Sequence, residues 1–372
     1  MKRIVLAYSG GLTTSAAVAW LAETCGAEVV AVTVDVGQGR DLDDVRERAL
    51  AIGAVRAHVI DGREELARDY ALPALQAGAV YEGRYPLATA LSRPLIAKHL
   101  VSIAQLEGAE AVAHGGTGRG NDPVRLDVLV RALDPDLCVI APAETWGLSR
   151  ADAIAFARAR GIPVPPAASS PYRIDTNLWG RSIESDELED LWAEPPEEIY
   201  AWTKSPAEGP DHPAVVEIGF EEGVPVSIND VAMPLVDLVE SLQTIAGAHG
   251  VGRLDMVENR LVDTKSREIY EAPAAVALHT AHRELQQLVT PRELERLTSS
   301  LAVTYSDLVY AGMWFTPTRE AIDALVAKVQ RRVTGTIRLK LFKGDCRVVG
   351  RRAALAIGGH SRRASESTGV KQ

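Results

Sequence analysis

Ile4-Val5-Leu6-Ala7-Tyr8-Ser9-Gly10-Gly11-Leu12-Thr13-Thr14-Ser15 stands near the start of the chain and decides its fold. An apolar run without alternation over residues 4–8 predicts a strand buried on both faces, as in a parallel sheet. Two glycines then turn the chain sharply, and an apolar-periodic stretch over residues 14–24 predicts a helix. A strand that turns through glycines into a helix start aims several unpaired backbone N–H groups at one point, and the helix dipole reinforces them. Such a corner is an anion site that fits pyrophosphate, and Ser9, Thr14 and Ser15 add hydroxyls to it. A plain glycine turn capped by Thr would use the same residue types. The position, at the end of the first strand of an α/β fold, favours the phosphate reading. Neither a Walker lysine nor a GxGxxG run is present, which weighs against the usual kinase and dinucleotide-binding classes.

The same rhythm continues downstream. Residues 29–35 and 57–60 read as strands, residues 41–52 as a helix, and residues 111–113 and 138–141 as strand ends leading into loops. This alternation predicts an α/β doubly wound parallel sheet with helices on both faces and ligands at the carboxyl ends of its strands. It stops at Gly161-Ile162-Pro163-Val164-Pro165-Pro166, which reads as a linker. Beyond it, alternating segments at 215–220, 224–228 and 336–342, with helices over 235–249 and 318–333, predict an α+β second half. The expected organisation is a nucleotide-binding domain over 1–165, an α+β domain over 166–352 and a polar tail over 353–372.

The composition is that of a soluble globular protein. The 372 residues are too many for one ordinary core, and the chain is 47% hydrophobic and 24% charged. No apolar run approaches the roughly 18–20 residues of a membrane helix. The basic start Met1-Lys2-Arg3 resembles a leader, but Ser9-Gly10-Gly11 interrupts the apolar run too early for one. Cys25, Cys138 and Cys346 lie far apart with no metal or redox spacing, which predicts a reduced, cytoplasmic setting and no zinc site. A net charge of −10 weighs against a nucleic-acid surface but not against small anions held by local dipoles and a few arginines.

The phosphate corner resembles the PP-loop of the N-type ATP pyrophosphatases, which cut ATP between the α and β phosphates to adenylate a substrate. Four further segments narrow the resemblance to the argininosuccinate synthase family. They are Glu82-Gly83-Arg84-Tyr85-Pro86-Leu87-Ala88-Thr89-Ala90-Leu91-Ser92-Arg93-Pro94; Ala113-His114-Gly115-Gly116-Thr117-Gly118-Arg119-Gly120-Asn121-Asp122-Pro123-Val124-Arg125; Asp175-Thr176-Asn177-Leu178-Trp179-Gly180-Arg181-Ser182-Ile183-Glu184; and Gly252-Arg253-Leu254-Asp255-Met256-Val257-Glu258-Asn259-Arg260, continued by Lys265-Ser266-Arg267 and Tyr270-Glu271-Ala272-Pro273. They stand in family order and at family spacing, and the resemblance covers about residues 1–352. From residue types alone these read as loops. The second interleaves glycines with Thr, Asn, Asp and Arg, which can hold an amino acid while the backbone approaches a nucleotide. Glu258, taken by itself, reads as surface charge.

The resemblance implies a two-step ligase that uses ATP, with Mg²⁺ carried by ATP rather than by a protein-built metal site. It puts ATP on Ala7, Tyr8, Ser9, Gly10, Gly11, Leu12, Thr13, Thr14 and Ser15, near Thr33 and against Gly115. It puts aspartate on Thr117, Asn121 and Asp122, and the acceptor citrulline on Tyr85, Ala90, Asn121, Arg125, Arg173, Ser182, Glu258 and Tyr270. Asp122, Arg119 and Thr13 fall closest to the chemistry. A homo-oligomer, dimer or tetramer, is implied as well, with its contacts in the second domain.

Several residues depart from the family pattern. Ala90 and Arg173 stand where the family has Ser, Thr13 where it has an Asp that would help manage Mg²⁺, Arg119 where Lys is usual, and Thr176 where it has Glu. Ser185-Asp186 replaces a pair of small residues, and the long C-terminal arm of the family is missing or replaced by the polar tail. Three readings follow: citrulline as acceptor, a specialised paralogue joining aspartate to another ureido or carboxylate compound, and a catalytically weak nucleotide-binding regulator. An Arg173 facing the pocket would oppose an ammonium and welcome a carboxylate or phosphate, whereas one facing solvent would do neither.

Overall fold

The computed structural model describes residues 2–39, 41–116, 120–147, 150–164 and 170–357. Strand β1 (Arg3–Ala7) turns through Gly10 and Gly11 into α1 (Leu12–Cys25), and β2 (Glu28–Asp35), α2 (Leu42–Ile52) and β3 (Arg56–Asp61) follow. Helix α3 (Ala88–Glu107), β4 (Ala111–Ala113), α4 (Asp122–Leu133), β5 (Cys138–Ile140) and α5 (Arg150–Ala159) complete the first half. The five strands pair in parallel in the order β3-β2-β1-β4-β5. Successive β1 residues face opposite cores. Ile4 and Leu6 pack with Ala17, Val18 and Leu21 of α1 and Val45 of α2, whereas Val5 joins Leu91 and Leu95 of α3. Burial on both faces explains why the strand sequence shows no polar alternation. Asp41 caps α2 by accepting from the N–H groups of Asp43 and Asp44, both at 3.1 Å.

The second half is built from two antiparallel sheets. Strands β8 (Ala214–Glu221), β9 (Val224–Ile228), β10 (Val231–Ala232), β13 (Gly335–Phe342) and β14 (Asp345–Arg352) form one, in the order β10-β9-β8-β13-β14. On β13, Ile337, Leu339 and Leu341 are buried while Arg338 and Lys340 are exposed, so one face is solvated. Helices α6 (Leu235–Ala248) and α7 (Pro273–Val289) contribute to the core this sheet shares. Helices α8 (Arg292–Tyr310) and α9 (Pro317–Gln330) follow α7 in the chain.

The other sheet corrects the sequence reading. The third and fourth signature segments are strands, β6 (Arg173–Asn177), β7 (Gly180–Glu184), β11 (Arg253–Asn259) and β12 (Lys265–Glu271), in the order β11-β12-β7-β6. One face of this sheet buries Ile183 and Ile269 against Leu188 and Ile199. The opposite face carries Asp175, Ser182, Glu184, Tyr270, Glu268 and Glu258, so polar residues alternate with apolar ones that are themselves few. That is why the pattern looked like loop. The backbone N–H of Ile357 donates to the carbonyl of Leu288 at 2.9 Å, and residues 358–372 lie outside the described residues.

A buried ionic clamp fixes this sheet from behind. Glu271 is 0% exposed and accepts from Arg181 at 2.5 Å, from the backbone N–H groups of Ala201, Trp202 and Thr203 at 2.9–3.0 Å, and from the Thr203 hydroxyl at 2.7 Å. Truncating one member of such a cluster strands the others without water. Glu271→Ala is expected to lower folding stability by about 3–5 kcal/mol in denaturant titration. A loss below about 1 kcal/mol would mean that water reaches the cluster and it is not a structural anchor.

Candidate active site

The topology creates the crevice. In the order 3-2-1-4-5 the chain reverses direction between β1 and β4, and the carboxyl ends of these strands diverge at that point. Gly10 bends the β1–α1 corner with φ of 71°, and a Cβ there would sit 3.1 Å from Val45 Cγ2. Gly11 is the N-cap of α1 without a side-chain cap, and the first turn contains no acidic residue. The positive end of α1 therefore opens into the crevice with its charge uncompensated. Thr13, half-buried, occupies that first turn.

The hydroxyls of the corner divide into two sets. Ser9 Oγ and Thr14 Oγ1 lie 3.2 Å apart near the corner, and Thr14 also donates to the carbonyl of Gly11. Ser15 does not reach the loop surface as its sequence position suggested. It is 0% exposed and its Oγ lies 3.1 Å from the Tyr8 hydroxyl. Thr33 on β2 donates to the Tyr8 carbonyl at 2.7 Å, which braces the end of β1. Burial pushes the Tyr8 hydroxyl above its ordinary pKa, partly offset by its bond to Ser15. The loop after β4 closes on the corner from the other side. A Cβ on Gly115 would come within 2.6 Å of Thr14 Cγ2, so only glycine fits. The backbone N–H of Gly116 donates to His114 Nδ1 at 3.2 Å.

Thr117 and Arg119 lie outside the described residues. The segment resumes at the start of α4, where Asn121 and Asp122 stand next to the polar face of the β6–β7–β12–β11 sheet. Arg93 of α3 donates to Asp122 at 2.6 Å and also to Asp175 of β6, and Arg125 donates to Asp122 at 3.1 Å. Burial pushes the Asp122 carboxyl up, but the two guanidinium groups outweigh it and hold the carboxyl at about 2. Asn121 donates to the Tyr310 hydroxyl at 2.8 Å and accepts from the Leu261 N–H at 2.8 Å. Arg125 is buried, donates to the Tyr310 carbonyl at 2.7 Å and lies over the Tyr310 ring.

Glu258, which alone would have passed for surface charge, is 2% exposed. It accepts from the hydroxyls of Tyr270 and Tyr310, each at 2.6 Å. Tyr270 stacks on Tyr85 at 4.0 Å, and the Tyr85 hydroxyl accepts from the Thr89 N–H at 2.8 Å. Thr89 in turn donates to Ser182 at 3.3 Å. Burial drives the pKa of Tyr85, Tyr270 and Tyr310 upward, so all three remain neutral donors at physiological pH. Beyond Glu258, Arg260 donates to Glu268 at 2.6 Å and lies 3.3 Å from Glu184. Burial and the nearby Glu184 and Glu258 push the Glu268 carboxyl up to about 8, against the pull of Arg260. Arg260 and the Ser266 hydroxyl, at 2.6 and 2.9 Å, are the groups that offset this opposition to its ionisation.

Of the expected acceptor contacts, Tyr85, Asn121, Arg125, Ser182, Glu258 and Tyr270 form this one connected wall. Ala90 is 0% exposed and belongs to the core of α3. Arg173 sits at the rim with a side chain 60% exposed, within 3.8 Å of Glu184 and 3.9 Å of Asp186. Sequence reasoning missed Arg93, Asp175 and Tyr310. The first two lie inside quoted segments, where an Arg and an Asp could have suggested a pair. Tyr310 lies at the end of α8, where nothing local marks it.

Comparison with known proteins bears on the whole chain. Residues 3–163 match the family described as the arginosuccinate synthase N-terminal HUP domain, and residues 172–366 match the arginosuccinate synthase C-terminal domain. The argininosuccinate synthase of Symbiobacterium thermophilum is 56% identical over 351 residues, which cover 94% of this chain and 88% of that protein. The enzyme of the same name from Geobacillus kaustophilus is 53% identical over 95% of this chain and 87% of its own length. For that of Gloeobacter violaceus the identity is 54%, over 96% and 90%. With both halves matched and identity above one half along nearly the whole chain, this protein belongs to the argininosuccinate synthase family.

Proposed function

We propose that the chain is an ATP-dependent carbon–nitrogen ligase joining aspartate to citrulline, with AMP, pyrophosphate and argininosuccinate as products. The observation that carries this reading is the single segment from His114 to Arg125. It begins against the β1–α1 corner, through Gly115 on Thr14, and ends against the Glu258–Tyr270 wall, through Asn121, with Asp122 beside it held by Arg93 and Arg125. A nucleotide phosphate on the first and an acceptor on the second would be adjacent, with aspartate between them.

In the first step the ureido oxygen of citrulline attacks the α-phosphorus of ATP. The bond to the bridging oxygen breaks and pyrophosphate leaves. In the second, the aspartate amine attacks the activated ureido carbon, loses a proton, and displaces AMP. No side chain need become covalently bonded; the protein positions the reactants and stabilises charge. The uncapped positive end of α1 suits the departing pyrophosphate. We assign aspartate to Thr117, Asn121 and Asp122, with the low pKa of Asp122 keeping it anionic towards an ammonium. Mg²⁺ is assigned to the phosphates of ATP, because the first turn of α1 offers no carboxylate.

No helix among the described residues is long and apolar enough to cross a membrane. We propose a cytoplasmic setting, supported by three free cysteines. Self-association is also proposed. Trp192 is 97% exposed and Leu191 63%, on a turn that Arg267 pins through the carbonyls of Asp190 and Ala193, both at 2.8 Å. Fixed, exposed tryptophan is the residue type most enriched at the energetic centres of interfaces.

Pyrophosphate release from purified protein with ATP, Mg²⁺ and aspartate is expected to depend on added citrulline. Binding of ATP and aspartate without citrulline-dependent release would sink the assignment of citrulline and favour a different ureido or carboxylate acceptor. Asp122→Asn should remove the negative charge that Arg93 and Arg125 share and lower kcat/KM for aspartate by about 100-fold or more. A change of less than about threefold would remove Asp122 from the site.

A further inference from the structure

We infer that Tyr310 is a positioning residue whose hydroxyl holds Asn121 and Glu258 in one arrangement and so sets the affinity for both amino-acid substrates together. The inference rests on the ligase reading above. Tyr310 is the last residue of α8. The helix stops there because Gly312 takes φ of 74°, and the N–H groups of Gly312 and Met313 fold back onto the carbonyls of Val309 and Leu308, at 3.1 and 2.8 Å. A Cβ on Gly312 would lie 2.8 Å from Arg125 Cα, so this helix end packs directly on α4. The last carbonyls of a helix have no partner inside it, and that of Tyr310 accepts from Arg125 Nε at 2.7 Å.

The side chain is 2% exposed, so it acts through its neighbours rather than on a ligand. Its ring stacks on Tyr81 at 3.6 Å and lies 4.7 Å from the guanidinium carbon of Arg125. Burial keeps the hydroxyl protonated, and its one proton goes to Glu258 at 2.6 Å. The oxygen is then left to accept, which it does from the Asn121 amide at 2.8 Å. At the other end of that amide the Leu261 N–H donates to Asn121 Oδ1 at 2.8 Å. An acceptor at one end and a donor at the other leave the amide a single orientation. Asn121 serves both aspartate and the acceptor in the reading above, and Glu258 serves the acceptor, so one hydrogen-bonded chain orders both sites. The phosphate corner is braced by different groups, Thr33 on the Tyr8 carbonyl and Thr14 on that of Gly11.

Tyr310→Phe keeps the ring and the helix carbonyl and removes only the hydroxyl. The full chain, saturated with α,β-methylene-ATP so that no pyrophosphate can leave, is titrated calorimetrically with aspartate and with citrulline. Tyr310→Phe is expected to weaken each by about tenfold while affinity for the nucleotide analogue stays as in the wild type. In turnover with ATP, KM for both should rise by a similar factor with kcat held within about threefold, the mark of lost binding rather than lost chemistry. Tyr81→Phe, which removes a different hydroxyl from the same ring stack, is expected to weaken neither. The role is overturned if Tyr310→Phe spares any amino acid that the wild type binds, if it weakens the nucleotide analogue equally, or if Tyr81→Phe reproduces the loss. Failure of the ligase reading looks different. A wild type that binds aspartate but neither binds citrulline nor releases pyrophosphate with it loses the citrulline assignment, and the aspartate titration alone then decides the role of Tyr310.

Discussion

Arg93 holds together two halves of the chain that share no strand pairing. Its guanidinium reaches Asp122, at the start of α4 in the parallel-sheet half, and Asp175, on β6 of the antiparallel sheet. The three side chains are half-buried, with 13% of Arg93, 32% of Asp122 and 38% of Asp175 exposed, so solvent screens part of the attraction while the two carboxylates share one guanidinium. The geometry of the site follows from that triad. Asp122 is drawn toward the second half, Asn121 comes with it, and the Asn121 amide can then meet Tyr310 and the backbone of Leu261.

A second tie supports the first without any charge. The turn between β6 and β7 carries Asn177, whose side chain donates to the Ala88 carbonyl at 2.7 Å and accepts from Trp179 and Gly180. Trp179 donates to the Pro86 carbonyl at 3.0 Å, and Leu178 donates through its backbone to Val36 at 2.7 Å. Gly37, with φ of 86°, leaves room for this approach; a Cβ there would lie 2.9 Å from Leu178 N. The hairpin is thus keyed into the ends of β2 and α3. Ser182 and Glu184 are placed at the crevice by main-chain register rather than by long flexible side chains.

The parallel half was legible because its physics is local. Uniform apolar strands, a glycine corner and capped amphipathic helices each leave a mark within about ten residues. The antiparallel wall was not legible in the same way. On β12, Ser266, Glu268 and Tyr270 alternate with Arg267, Ile269 and Glu271, and both sets are mostly polar because one lines the site and the other holds the Glu271 clamp. No hydrophobic period survives such a double duty. Resemblance marked these strands as important where periodicity could not assign them a structure. It could not tell which arginines are already spent, nor that Tyr310, far along the chain, would support Asn121, Arg125 and Glu258 at once.

The wall's own energetics argue against a purely regulatory nucleotide binder. Binding a nucleotide requires the β1–α1 corner and the glycine contact to Thr14. It does not require an acidic face with Asp122, Glu184, Glu258 and Glu268 partly or wholly removed from water. Such groups are a poor means of stabilising a fold, since apolar residues of similar volume serve as well or better. Glu268 illustrates the strain: burial first, and then the nearby Glu184 and Glu258, raise its pKa, so that folding opposes its ionisation. Stability present below the unfolded carboxylate pKa is therefore given up as pH rises through the raised folded-state value. A chain that tolerates this opposition, while Tyr85, Tyr270 and Tyr310 are kept neutral around Glu258, is organised to present ordered polar groups to a ligand that carries charge of both signs.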